Sequence, residues 1–354
     1  MRKRQRMRKK LLLIRIRMTL RERNYLKRAA LRQIRETAWR HLYNYGDDRD
    51  FLNTTSLTRE AFEKLLIEFR KFDPYNVNRS KGGRLPTLPY SHDRLGLILI
   101  FYTDSMTNKS LCLLFGIVPS SLSRFLRKAE DALLLTLKSM PHAEFRWPSL
   151  ENQLQWGLKV QALYPEIEGR WGFIDGKNYK VQKPSQADLQ NAMYNGWLHA
   201  TLVTGCLCFD VSGCICWGKH NFVGSWNDGE MSRAFQEKLC RDEFCLKGHG
   251  VVSDSAVPVS GKCFGRIMTP IKDGDIEKAH PLARPALLRR SRKLTSLRQA
   301  CEWGMGAVEK VYRRLLLPLP FNQVTRGTRL ACIHRLYNYR VRTTGISQIR
   351  NTFL

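Results

Sequence analysis

Long apolar runs are missing from this chain. The longest, Leu95–Tyr102, falls far short of the roughly 20 residues that a membrane-spanning helix requires. Leu11–Ile14 is followed by Arg15 and Arg17, so it does not form a secretory apolar stretch with a cleavage site. No glycine-rich loop of the phosphate-cradling kind occurs, and no nucleophile elbow, which argues against an NTPase and a serine hydrolase. No fixed-period repeat is present, so a solenoid is not expected. Acids are scarce: 31 Asp plus Glu stand against 60 Lys plus Arg, for a formal net charge of +29.

Such an excess attracts polyanions. Nucleic acid is the commonest such partner, because each neutralised phosphate releases counterions; a membrane surface or plain solubility is the alternative. Residues 1–40 carry sixteen Lys or Arg and only two acids, Glu22 and Glu36. Arg2–Lys10 suits nuclear import or a phosphate-tracking arm, extended or marginally helical until it meets DNA. Ten cysteines without a signal peptide point to a reducing compartment and free thiols. A nuclear protein with no membrane partner is the expectation.

At 354 residues the chain is long for one domain and comfortable for two. After a basic arm at 1–45, residues 46–148 read as helical. Ser56–Glu60 opens a helix with a hydroxyl cap ahead of Phe62, Leu65, Leu66 and Phe69. Lys81–Pro86 is a basic loop. Asn108–Leu114 reads as a short helix and Phe115–Ile117 as a turn, with a second helix starting at Pro119. Leu111, Leu114, Ile117, Leu122 and Phe125 would form their shared core. Such a pair is either a helix-turn-helix or an ordinary helical hairpin with a solvated face. In the first case Ser120, Ser121, Ser123, Arg124, Arg127 and Lys128 occupy the helix that enters the major groove.

Trp147–Ser149 looks like a domain boundary, and over 165–354 the period changes. Gly172–Ile174 is a strand candidate ending in Asp175, and Gly250–Ser253 another ending in Asp254. Leu198–Phe209 and Gly213–Trp217 read as strands joined by a tight Asp210–Gly213 connection, and Leu297–Leu316 as a long helix. Two strand-end aspartates plus an acid on a late helix are hard oxygen donors of the kind Mg²⁺ or Mn²⁺ prefers. Two such ions roughly 4 Å apart can serve the attacking and leaving oxygens of an in-line phosphoryl transfer. Taken singly, each aspartate reads first as a turn or cap residue rather than a ligand.

Five ordered motifs add context: Phe173–Gly176, Tyr194–Trp197, Gly224–Asp228, Val252–Ser255 and Arg298–Met305. Together they resemble the Harbinger/PIF superfamily of DDE transposases and their domesticated derivatives, over most of residues 170–350. The helices around Phe115–Ile117 also resemble the helix-turn-helix that precedes the nuclease in those proteins. The resemblance implies an α/β fold with an RNase H-like mixed sheet and flanking helices, preceded by the helical domain. It implies an Asp-Asp-Glu triad of Asp175, Asp254 and Glu302, divalent Mg²⁺ or Mn²⁺, and DNA strand cleavage by water followed by joining. A Myb-like helper protein and a homodimer that pairs two DNA ends follow from the same likeness.

The third acid stays open. Glu302 and Glu309 lie on one helix face, and Val308–Leu315 also partly resembles the family's helix; Arg298 and Trp303–Met305 frame Glu302 as the motif expects. Val223 stands where many relatives have Pro. Asp228 reads as a loop cap or as a further metal or DNA contact. Cys206, Cys208, Cys214 and Cys216, with His220 nearby, could gather zinc across the presumed hairpin, but their spacing favours a sheet core. His199 on an apolar strand reads as a core histidine, and Lys177 and Lys180 as solvated or as contacts to the cleaved strand. No RNA-binding module is recognisable.

Overall fold

The computed structural model describes residues 2–24, 26–77, 86–226, 228–255, 257, 261–272 and 274–354. Residues 81–85 of the basic loop expected at 81–86, and the side chain of Asp228, lie outside the described residues. The chain divides into two compact units, Met1–Leu133 and Leu134–Leu354.

The first unit is helical. It contains α1 (Arg2–Asn24), α2 (Ala38–Tyr45), α3 (Asp48–Thr55), α4 (Arg59–Phe72), the single turn α5 (Pro74–Val77), α6 (Ser91–Thr103), α7 (Asn108–Phe115) and most of α8 (Pro119–Ser139). Hydroxyl caps start several of these: Thr37, Thr58 and Thr107 each accept from the helix's third residue. The core of the unit is α6, which is buried along nearly its whole length, with Gly96 letting the Trp39 indole lie directly against its backbone. Its two charged residues are paired, as buried charges must be. Asp93 accepts from the Trp39 indole at 3.1 Å and pairs with Arg40, while Arg94 pairs with Asp73.

The second unit is a mixed α/β structure. Its strands are β1 (Arg170–Lys180), β2 (Tyr194–Asn195), β3 (Ala200–Asp210), β4 (Ile215–Val223), β5 (Gly250–Ser253) and β6 (Ile267–Met268). Its helices are α9 (Leu150–Leu163), α10 (Ala187–Met193), α11 (Asp228–Leu239), α12 (Asp275–Lys278), α13 (Arg284–Val311), α14 (Gln323–Thr344) and α15 (Gln348–Phe353). The sheet order is β2-β3-β1-β5-β6, with β4 also on β3. β1 runs antiparallel to β3 and parallel to β5.

Strand alternation sorts β1 onto two faces. Ile174, with Cys206 and Cys208 of β3, packs against Met231, Phe235 and Leu239 of α11. The opposite face meets the late helices: Phe173 stacks on Phe353, Tyr179 bonds His334 of α14 at 2.9 Å, and Phe209 lies under Gly304 of α13. Asp175 belongs to this second face.

Several features depart from the expectations drawn from sequence. β1 does not stop at Asp175 but continues to Lys180, because β3 pairs with it throughout. The helix expected from Leu297 begins at Arg284; its first turns, up to Lys293, are arginine-rich and bury no residue that would reveal them. His199 is exposed in a left-handed turn at φ 47°, one residue before β3, while His334 is fully buried in α14. Trp147 donates its indole N–H to the Phe244 carbonyl at 2.8 Å and so is built into the second unit. Cys240 and Cys263 form a disulfide with Cα atoms 5.7 Å apart, an exception to the expected free thiols. Among the described residues no single helix is long and apolar enough to cross a membrane.

Candidate active site

The parallel pairing of β1 with β5 ends at Ile174↔Ser253. The next residue on each strand is an aspartate, so Asp175 and Asp254 stand side by side where adjacent parallel strands part. Open sheets present ligands at such strand ends. Each carboxylate turns one oxygen onto the following backbone N–H: Asp175 Oδ1 accepts from Gly176 at 2.8 Å, and Asp254 Oδ1 from Ser255 at 2.6 Å.

Helix α13 brings the remaining charges. Leu294, Leu297, Ala300, Cys301, Gly304 and Met305 form its buried stripe, at the spacing of a helix lying on a sheet. The Cys301 thiol points at the Phe173 carbonyl, 3.7 Å away. Burial, and then the nearby Asp175 carboxylate, hold that thiol well above its usual range, so it remains protonated. Cys301 thus packs α13 onto β1 close to Asp175. One turn earlier, Arg298 donates through Nη1 to Asp175 Oδ2 at 3.2 Å and through Nη2 to Glu302 Oε1 at 2.8 Å. Asp175 is 21 % exposed and Glu302 55 % exposed at their side chains, so the cluster opens to solvent on the Glu302 side.

The two late acids separate here. Glu302 joins Asp175 through Arg298, whereas Glu309 pairs with Lys177 at 2.8 Å. Sequence spacing leaves both on one helix face; the register of β1 beneath the helix distinguishes them, since Asp175 and Lys177 follow one another on the same strand face. The bridging role of Arg298 was legible only as an Arg four residues before Glu302, a spacing that brings two side chains together on any helix.

Chemically, the donor set is one of hard carboxylate oxygens with a positive charge seated among them. Arg298 supplies that charge in this arrangement. Among the described residues no three His, Cys, Asp or Glu side chains are gathered closely enough to hold a metal ion. The hairpin cysteines behave as core: Cys206, Cys208 and Cys216 belong to the apolar cluster on the α11 face, and burial pushes the Cys214 thiol up to about 12.

In the first unit, α7 and α8 meet at 91°. Gly116 ends α7 in the left-handed conformation at φ 65°, the common helix stop. Leu111, Phe115, Ile117, Leu122 and Phe125 are buried between them, while Leu114 is half-buried. Arg124, Arg127 and Lys128 are exposed on α8. Ser121 is instead buried, at 7 % exposure, because it faces the same side as Leu122 and Phe125. Its burial sets it apart from the groove-facing position that sequence assigns to it; the exposed hydroxyls of this turn are those of Ser120 and Ser123.

Residues 174–338, from β1 through most of α14, match a protein-family model described as DDE superfamily endonuclease. The segment is similar to that family, and the mixed sheet with its flanking helices is consistent with a DDE nuclease fold. No curated protein and no solved structure gives a match.

Proposed function

We propose that the chain is a DNA endonuclease of transposase descent, of the Harbinger/PIF type, that hydrolyses phosphodiester bonds with an Asp175-Asp254-Glu302 triad. The observation that carries this reading is the joint placement of Asp175 and Asp254 at the parting of β1 and β5, with Glu302 tied to Asp175 through Arg298. The second unit would then be RNase H-like. In this reading Asp175, Asp254 and Glu302 would hold Mg²⁺ or Mn²⁺ once Arg298 yields its contacts. Bound divalent ions supply charge stabilisation for the attacking and leaving oxygens. The chain's own residues do the rest: Asp175 is held by β3, which pairs with it at Leu207, Cys301 packs α13 against β1 two residues before it, and the exposed Glu302 faces the side from which a DNA strand can approach.

The α7–α8 pair acts as a helix-turn-helix in this proposal. Its near-perpendicular crossing, its glycine turn and its buried shared core are those of the motif. Arg124, Arg127 and Lys128 would contact DNA. A nuclear location, a Myb-like helper and a homodimer that pairs two DNA ends complete the proposal, on the strength of the motif resemblance and the basic charge.

A second reading draws on the same arginine. Arg298 neutralises Asp175 and Glu302 together, as would suit a domesticated, non-catalytic DNA-binding or chromatin-associated protein. Cleavage of supercoiled plasmid with Mg²⁺ or Mn²⁺ separates the two. Metal-dependent nicking that disappears in both Asp175→Ala and Glu302→Ala supports the nuclease. DNA binding without nicking in either metal, with or without a helper protein, would sink it.

A further inference from the structure

Beside the turn of the α7–α8 pair lies a cavity of about 770 Å³ whose lining includes Arg28, Arg32, Arg35, Arg40, Tyr90 and Gly116. Arg40 is already engaged: it pairs with Asp93 and lies 4.3 Å over the Tyr90 ring. Arg28, Arg32 and Arg35 are different. They are exposed, and among the described residues no acid pairs with any of them.

The segment carrying these three is not a loose tail. It consists of two short 3-10 turns, Arg28–Ala30 and Ile34–Glu36, and ends in the buried Thr37 that caps α2. It also lies hard against the helix pair. A Cβ added at Gly116 would stand 2.7 Å from the Arg32 carbonyl and 2.9 Å from the Thr37 side chain. The backbone of Arg32 is therefore fixed against the turn between α7 and α8. Three arginines lining one cavity without an acid paired to them give it a positive charge that an anion neutralises. Guanidinium forks match phosphate oxygens in pairs.

We propose that this cavity is a binding site for the sugar–phosphate backbone of DNA, with Arg28, Arg32 and Arg35 as its phosphate ligands. Its occupant is set by its position: in helix-turn-helix proteins the first helix crosses the backbone while the second enters the groove, and the cavity lies at Gly116, the end of that first helix. A cavity of this size takes a stretch of backbone, not a single phosphate ion. The proposal rests on reading α7–α8 as DNA-binding. It divides the labour within the first unit, the cavity gripping backbone and α8 reading bases.

The test is the salt dependence of duplex binding by the full chain. Each lost phosphate contact makes the plot of log affinity against log salt shallower by about 0.9. Arg32→Gln and Arg35→Gln should each lower the slope by about that amount, and the double variant by about twice as much. Arg49→Gln, exposed on α3 away from the cavity, should leave it unchanged. No side-chain hydrogen bond or ion pair ties Arg32 or Arg35 to the described fold, so far-UV circular dichroism and melting temperature should match wild type. A wild-type slope in the double variant overturns the site. So does inorganic phosphate that binds wild type but not the double variant while leaving duplex affinity unchanged at matched ionic strength: that result would mark a free-anion pocket. An Arg124→Ala/Arg127→Ala variant keeps the two ideas apart. Loss of binding there with normal slopes in the cavity variants sinks the cavity alone; lowered slopes in the cavity variants with normal binding there sink the helix-turn-helix reading alone.

Discussion

Arg298 and Asp175 are 123 residues apart in sequence, and their side chains meet at 3.2 Å. The same guanidinium holds Glu302 at 2.8 Å from one turn further along α13. Two acids of the candidate triad thus share one counter-ion, which must yield before they can share another.

Arg298→Gln removes that internal cation. Mn²⁺ should then bind the full chain more tightly, because it no longer competes with a fixed positive charge. Solvent on the Glu302 side screens the gain to about tenfold or less. Titration calorimetry or Mn²⁺ electron paramagnetic resonance reads this directly. Weaker or unchanged Mn²⁺ binding would show that Arg298 positions the acids without competing for their ligand.

Glu309 provides the control for Glu302. Its pair with Lys177 is partly exposed, at 27 % and 20 %, and such pairs contribute about 1 kcal/mol or less. Glu309→Gln should leave plasmid nicking within about threefold of wild type. Glu302→Gln should reduce it by more than the roughly 10–100-fold typical of residues that merely support a metal ligand. The reverse ranking would reassign the third acid to Glu309.

The two glycines of α13 make opposite predictions. A Cβ at Gly304 would lie 2.8 Å from the Phe209 ring, a contact that must be relieved by moving the helix off the sheet. Gly304→Ala should destabilise by about 1–3 kcal/mol, and it should weaken metal binding because α13 carries Arg298 and Glu302. Gly306 faces open space, so Gly306→Ala should stabilise by about 0.5–1 kcal/mol through helix propensity. Urea unfolding of both variants checks the pair; equal effects would contradict the close seating of α13 on Phe209.

The second unit should lose stability in mild acid. Burial, and then Arg335, hold His220 down to about 4, and burial, then His220, holds His334 well below its usual range. Their folded values lie below the unfolded value near 6.5. The stability they contribute is therefore complete above that pH and lost as pH falls through it toward the folded values. Each histidine costs about 1.4 kcal/mol per pH unit within that window. Asp210, pushed up to about 6 by burial, acts in the opposite sense: its contribution is present at low pH and lost as pH rises through 6. Comparing wild type with His220→Gln cancels Asp210. The stability difference should narrow by about 2 kcal/mol between pH 6.5 and 5, measured by tryptophan fluorescence, since every tryptophan but Trp39 lies beyond residue 134. A difference that is flat with pH would show that His220 is not held neutral.

Much of the architecture was legible locally. Helix starts at Thr58 and Thr107 follow from hydroxyl caps ahead of apolar residues at helical spacing. The turn at Asp210–Gly213 and the strand that stops before Asp254 follow from turn residues bounding apolar runs. These signals act over a few residues, so the sequence contains them whole. The excess of basic charge is likewise a property of composition alone.

What the sequence could not decide involves residues brought together by docking. The continuation of β1 past Asp175 depends on β3 lying alongside it, and the first turns of α13 bury no residue that would announce them. Glu302 and Glu309 are equivalent on a helix; only the strand register beneath α13 gives one to Arg298 and the other to Lys177. The seating of Ser121 among apolar neighbours, the Cys240–Cys263 disulfide and the arginine cavity beside Gly116 have the same origin. By itself the sequence determined charge, local structure and the residue types of the site. Tertiary structure decided which charges meet, because helix rotation and strand register are set by packing against distant partners.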